Sequence, residues 1–322
     1  MRVALLDDYQ GVALQHLGMH GSDERVSYEA FTDHLDSSDA LVERLAPFDV
    51  VVAMRERTAF PRSVLERLSR LRLLVTTGMG NAAIDDAACA ELGITLCGTS
   101  GSVQSTSELT WALLLAAARH VPTEIANVRE GRWMTTIGTD LHGGTLGMAG
   151  LGRIGSMVAA VGKAFGMNVV AWSQNLAAAR CAEVGVELVA REELFRRADF
   201  LSIHLVLSER TRHLVGAAEL RLMKPTAWLI NTSRGPICDE AALADACAKG
   251  IIAGAALDAF GIEPLPAGHP FRTLDNVLAT PHIGYVSQNV YSEFYRHIAE
   301  NVTAFLDGKP VRVIVPTPPN AR

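Results

Sequence analysis

Residues 145–175 read TLGMAGLGRIGSMVAAVGKAFGMNVVAWSQN, and the fold follows from how this stretch is parsed. TLGMAG is a short apolar run suited to a strand. The turn Gly150-Leu151-Gly152-Arg153-Ile154-Gly155 opens a helical pattern from about Arg153, and NVVAW supplies a second strand. Strand, glycine turn, helix and strand form a βαβ unit of the dinucleotide-binding kind. Gly150 permits the tight turn, Gly152 lets a pyrophosphate approach the backbone, and Gly155 lets helix pack on strand. Arg153 and Ile154 begin the helix, whose N-terminus faces the anion. In a chain with 27 glycines the same pattern also arises as a plain tight turn, so its surroundings decide.

At the tip of the second strand an Asp or Glu would accept hydrogen bonds from the adenosine ribose and repel a 2′-phosphate. This chain has Ser173-Gln174-Asn175 there. Ser173 and Gln174 are neutral hydrogen bonders that repel nothing. The nearest downstream cation, Arg180, is expected to face solvent from its helix. The expected cofactor is therefore NAD(P), with use of both coenzymes and a modest lean to NADP.

On either side of this unit, short β-branched runs alternate with helical patterns. RVALL, DVVVAM, LRLLVTT and GITLC precede it, and VELV, DFLSIHL, AWLINTS, IAGAALD and NVLATP follow. Such alternation gives α/β architecture with mostly parallel sheets, and 322 residues exceed the usual size of one core. Two Rossmann-like, doubly wound parallel-sheet domains are expected. SELTWALLLAAARHV (107–121) is apolar nearly all round and reads as a helix buried at a domain or subunit junction.

Composition narrows the partners. A net charge of -6 without a cluster of Lys and Arg argues against nucleic acid. No stretch approaches the roughly 20 apolar residues of a membrane span, and the apolar run of MRVALLDDYQ is too short for a signal-peptide core. A cytoplasmic setting is expected. The five cysteines show no CxxC or Cys/His spacing, which predicts small buried hydrophobes with no metal site and no disulfide framework.

In doubly wound sheets ligands sit outside the carboxyl ends of the strands. Three turns after strands carry chemistry there: Asn231-Thr232-Ser233-Arg234-Gly235, Leu257 to Pro264 with Asp258 and Glu263, and Thr280-Pro281-His282-Ile283-Gly284. Arg234 offers a planar fork for a carboxylate and a neighbouring carbonyl. His282 is the candidate general acid or base. Glu263, if it meets the far ring nitrogen, favours imidazolium and orients it. Taken singly, each also has a structural reading: Arg234 capping a carboxylate, Glu263 as a solvated loop charge, His282 as a satisfied turn histidine.

Together, the GlyLeuGlyArgIleGly turn, NTSRG, ALDAF with Glu263-Pro264, TPHIG, GMGNAAID (78–85) and AFLDGKPVR (304–312) resemble the D-isomer-specific 2-hydroxyacid dehydrogenases across nearly the whole chain. The resemblance implies hydride transfer between a nicotinamide cofactor and a 2-keto or D-2-hydroxy acid, with Arg234, Glu263 and His282 as the catalytic triad. It implies a discontinuous substrate domain, 1–98 plus 286–322, a dinucleotide domain, 99–285, a substrate cleft between them, and a homodimer, here through the 107–121 helix. Asp258 resembles the acceptor of the nicotinamide amide, with a strand-end cap as its plain role. His204 resembles a residue near the nicotinamide and its ribose, against a buried histidine bonded to backbone. Thr232 is expected to line the cofactor. Gly78-Met79-Gly80 resembles a backbone nest for the substrate carboxylate, against a flexible turn. Arg55 adds charge to the cleft or makes a surface ion pair.

The chain departs from the family pattern in places. Ala82-Ala83 stand where Asp-Asn is usual, removing polar support from the turn, Val206 replaces a proline and Gly144 a lysine. Tyr285 stands where small residues follow PHIG and is placed to fill part of the substrate pocket. Two rivals remain at this level: a non-catalytic dinucleotide-sensing corepressor, and a phosphite dehydrogenase, against which Met79 stands where a lysine would assist a dianion.

Overall fold

The computed structural model describes residues 1–20 and 23–316; the end of the expected substrate domain, beyond residue 316, lies outside the described residues. The chain divides into two compact units, one comprising Met1–Ser102 with the chain from Val286 onward, the other Val103–Tyr285. In chain order the strands are β1 (Arg2–Leu5), β2 (Ser27–Ala30), β3 (Val50–Ala53), β4 (Leu73–Thr76), β5 (Thr95–Gly98), β6 (Thr145–Ala149), β7 (Asn168–Trp172), β8 (Glu187–Leu188), β9 (Phe200–Ile203), β10 (Trp228–Asn231), β11 (Gly254–Leu257), β12 (Val277–Ala279) and β13 (Val313–Val315).

The first unit holds a six-stranded sheet ordered β13-β5-β4-β3-β1-β2. It is parallel except for β13, which runs antiparallel to β5. β3 and β4 are buried along their whole length, as strands covered on both faces must be. Residues 98–100 stay with this unit: Gly98 N–H donates to Arg312 O, Thr99 N–H to Gly78 O, and Ser100 Oγ meets His297 Nδ1 at 3.3 Å.

The second unit is built on a seven-stranded sheet ordered β12-β11-β10-β9-β6-β7-β8, parallel throughout. The order reverses between β6 and β9, so the crevice for a ligand opens at their carboxyl ends. Successive residues of β10 point to opposite faces: Leu229 joins a core with Leu201, Ala255 and Leu243, while Ile230 joins one with Met148, Phe200 and Trp111. The period-2 alternation thus feeds two apolar layers, each covered by helices.

The apolar segment expected over 107–121 forms a helix at Gln104–Ala118. It ends early because His120 adopts a left-handed backbone at φ 49°, and a new helix, Val121–Arg129, begins there. Its burial arises inside the second unit, against Val158 and Ala159 of the helix Arg153–Ala164, with Trp111 Nε1 donating to Val158 O at 3.3 Å. The segment that follows it carries a run of exposed large apolar side chains: Val121, Ile125, Val128, Trp133, Met134 and Ile137. Within the second unit, the helix is thus part of the core.

All five cysteines are free and buried, and burial pushes the Cys238 and Cys247 thiols up to about 12. Among the described residues no helix is long and apolar enough to cross a membrane, and no cluster of three or more His, Cys, Asp or Glu could hold a metal.

Candidate active site

The glycine turn joins β6 to the helix Arg153–Ala164, and each glycine has its own reason. Gly150 lies at φ 102°, and a Cβ there would sit 2.5 Å from His204 O. A Cβ on Gly155 would sit 2.4 Å from Gly150 O, so helix and turn touch through backbone. Gly152, the N-cap, has nothing within 4 Å of its absent Cβ. Its bare backbone fronts open space at the N-terminus of a twelve-residue helix, which suits a pyrophosphate. Arg153 is exposed and Ile154 half-buried in that first turn. The residues present fit a dinucleotide.

At the tip of β7, Ser173, Gln174 and Asn175 line one side of a cavity of about 290 Å³. Its other side is the turn after β9, with Ser208, Arg210 and Thr211. Arg180 is partly exposed, as expected, and also has partners within the protein. It reaches to the helix Arg153–Ala164, donating from one NH2 group to Ser156 Oγ at 2.7 Å, and pairs with Glu183 of its own helix at 2.9 Å.

Because β10, β11 and β12 are parallel neighbours, their three turns share one sheet edge. Asn231 stitches the first: its Nδ2 donates to Arg234 O and its Oδ1 accepts from Ser233 N–H, both at 3.0 Å. Thr232 is buried and its hydroxyl meets Thr110 Oγ1 at 2.7 Å, tying the turn to the long core helix. Arg234 steadies its fork with a 2.9 Å bond to Ser233 O. Gly235 allows this turn to lie against the next: a Cβ there would be 2.2 Å from the carbonyl carbon of Phe260.

Asp258 is buried and receives three donors from the third turn. Thr280 Oγ1 (2.7 Å) and Ile283 N–H (2.8 Å) reach Oδ1, and Gly284 N–H (2.8 Å) reaches Oδ2. Burial raises its carboxyl pKa despite these donors. Asp258 thereby fixes the segment that carries His282, whose φ is 53°. His282 Nδ1 lies 2.7 Å from Glu263 Oε2, while Glu263 Oε1 accepts Phe260 N–H at 2.8 Å. A carboxylate offers only acceptors, so Nδ1 carries the hydrogen and Nε2 is left for chemistry. Tyr285 is buried, its ring edge-on to His282 at 5.8 Å between centroids.

His204 continues β9, its N–H donating to Ala149 O, with Nε2 2.8 Å from Ser202 Oγ. Enclosure pushes its pKa down to about 4, so the ring is neutral at physiological pH. It packs beside Gly150 and Gly155, bonded to a side-chain hydroxyl where backbone was the competing expectation.

Within the first unit, Arg55 and the glycine turn come together. Gly78 lies at φ 97°, and a Cβ there would strike an Arg55 guanidinium nitrogen; the same group donates to Thr77 O at 3.0 Å. Met79 is exposed, and Gly80 has open space about it. The polar support missing at Ala82-Ala83 comes from Asn81, which donates to Arg55 O (2.6 Å) and Thr76 Oγ1 (2.9 Å) and accepts from Ala83 N–H (2.9 Å). The supporting roles of Asn81, Asn231 and Thr110 carry no sign in the sequence, since neither a turn amide nor a helical hydroxyl shows which group it will bind.

Residues 111–284 match the family described as D-isomer specific 2-hydroxyacid dehydrogenase, NAD binding domain. The chain belongs to the D-isomer-specific 2-hydroxyacid dehydrogenase family. Among relatives, the glyoxylate reductase of Aeropyrum pernix is 43% identical over 256 residues, 76% of each chain. The D-3-phosphoglycerate dehydrogenase of Methanocaldococcus jannaschii is 38% identical over 286 residues, which is 88% of this chain and 54% of that longer one. Among solved structures, a putative D-3-phosphoglycerate dehydrogenase from Ralstonia solanacearum superposes with a TM-score of 0.93 at 34% identity, covering 98% of this chain and 97% of its own. Family membership and the glycine turn together make this a nicotinamide-dependent hydride-transfer oxidoreductase, acting on a small 2-hydroxy or 2-keto acid.

Proposed function

We propose that the protein reduces a small 2-keto acid such as glyoxylate or hydroxypyruvate to the D-2-hydroxy acid, or runs the reverse oxidation, with NADPH or NADH. The observation that carries the proposal is the 2.7 Å Glu263–His282 pair on the same sheet edge as Arg234 and the glycine turn. The bound nicotinamide supplies or accepts the hydride. Arg234 holds the substrate carboxylate and polarises its carbonyl. His282 Nε2 gives the carbonyl oxygen its proton in reduction and takes the hydroxyl proton in oxidation. Glu263 keeps the ring oriented and stabilises its protonated form. Substrate contacts are assigned to Arg55, Met79, Gly80 and Tyr285, and cofactor contacts to Gly150, Gly152, Arg153, Ile154, Gly155, Ser173, Gln174, His204, Thr232 and Asp258.

Met79 stands where a lysine would assist a dianion, which weighs against phosphite as the substrate. The sensor and phosphite readings are not favoured, since the relatives are named for reduction or dehydrogenation of hydroxy and keto acids. The neutral Ser173-Gln174-Asn175 tip supports use of both coenzymes with a lean to NADP. A homodimer is proposed through the 107–121 helix and the exposed apolar strip from Val121 to Ile137 that follows it. The free buried cysteines support a cytoplasmic setting. Coenzyme oxidation at 340 nm with a panel of keto acids tests the activity, and light scattering of the eluted protein tests the dimer.

A further inference from the structure

The cavity at the tip of β7 has an unusual charge balance for a ribose site. Ser173, Gln174 and Asn175 face Ser208, Arg210 and Thr211 across it, and no carboxylate lines it. Arg210 is exposed and, among the described residues, makes no hydrogen bond or ion pair. Two other arginines nearby are committed, Arg180 to Ser156 and Glu183, and Arg191 to Leu214 O and Glu219; Arg212 is exposed but does not line the cavity.

The turn that presents Arg210 is pinned from within. Thr211 Oγ1 accepts Ser208 N–H at 2.8 Å and donates to Val206 O at 2.7 Å, while Thr211 N–H and Arg212 N–H both donate to Ser208 O. The backbone under Arg210 is thus set before any ligand arrives, while its guanidinium stays available. A planar fork beside neutral hydroxyl and amide groups is suited to a phosphate monoester.

We infer that Arg210, reaching from the turn after β9, binds the 2′-phosphate of NADP(H) against Ser173 and Gln174, and so sets the coenzyme preference. This rests on the proposed dinucleotide-dependent activity and names the cation that the β7 tip itself lacks. Arg210 binds the phosphate and takes no part in hydride transfer.

The test is calorimetric titration of the full chain with NADP+ and with NAD+, for the wild type, Arg210→Ala and Arg210→Glu, alongside kcat/KM with NADPH and NADH. Loss of a charge-assisted phosphate contact weakens binding about tenfold or more. Arg210→Ala is expected to lose that much affinity for NADP+ while NAD+ affinity stays within about twofold, and Arg210→Glu to lose more. An NADP+ to NAD+ affinity ratio unchanged in a folded Arg210→Ala protein overturns the inference. If the wild type binds both coenzymes but turns over no keto acid, the dehydrogenase reading fails and the affinity ratio still decides Arg210. If the wild type binds neither coenzyme, both fall.

Discussion

Glu263 grips His282 with one carboxylate oxygen, at 2.7 Å from Nδ1, while its other oxygen is held by the Phe260 N–H at 2.8 Å. The carboxylate cannot swing away from the imidazole without giving up a backbone hydrogen bond. Glu263→Gln retains one acceptor oxygen for two donors, so one bond must go. The expected result is a fall in kcat of about 10- to 100-fold with coenzyme affinity within twofold. Steady-state kinetics beside coenzyme titration checks this, and an unchanged kcat contradicts the assigned role.

Beside its assigned cofactor contact, Asp258 is expected to hold the segment that carries His282. Asparagine at this position places an NH2 group opposite N–H or O–H donors from Thr280, Ile283 and Gly284. Asp258→Asn should cost about 1–3 kcal/mol of stability and lower kcat together. Urea unfolding of the variant measures the first. Stability within experimental scatter of the wild type would mean that the three bonds do not organise the turn.

The glycines separate packing from binding. Gly235→Ala drives a Cβ to 2.2 Å from Phe260 backbone, so the Arg234 and Glu263 turns must part, costing about 1–3 kcal/mol and most of the activity. Gly152→Ala meets nothing within 4 Å and should fold as stably as the wild type while weakening coenzyme binding. Thermal unfolding and coenzyme titration of the two variants check the contrast. Equal destabilisation by both would contradict it.

His204 gives a pH dependence of stability. Its folded pKa, about 4, lies below the unfolded value of about 6.5. As pH falls through that window the unfolded chain takes up a proton that the folded chain refuses, so stability is lost on acidification and is present above about pH 6.5. Between pH 7 and pH 5 the loss from this group is about 2 kcal/mol. Denaturant unfolding at both pH values should show a drop smaller by that amount in His204→Asn. An identical drop in variant and wild type would assign the acid sensitivity elsewhere.

Much of this was legible in the sequence because strands covered on both faces must be continuous apolar runs, and DVVVAM and AWLIN are such runs. β2 escaped because Ser27–Ala30 alternates exposed and half-buried residues at a sheet edge and carries no apolar run. β13 escaped because its partner β5 lies far away in the chain. The early end of the long helix was hidden as well, since His120 adopts its left-handed turn without glycine or proline to signal it. In the candidate site, catalytic side chains announce themselves by type. Arg210 could not, because Ser-Glu-Arg-Thr reads as a solvated turn until the sheet order sets it across from Ser173.

The most direct test of the account is reduction of hydroxypyruvate by NADPH and NADH, followed at 340 nm with chiral analysis of the product, in the wild type and in His282→Ala. The expected result is D-glycerate from the wild type, and loss of turnover with coenzyme binding retained in the variant. A wild type that binds coenzyme but reduces no keto acid, an L product, or a His282→Ala protein as fast as the wild type would contradict it.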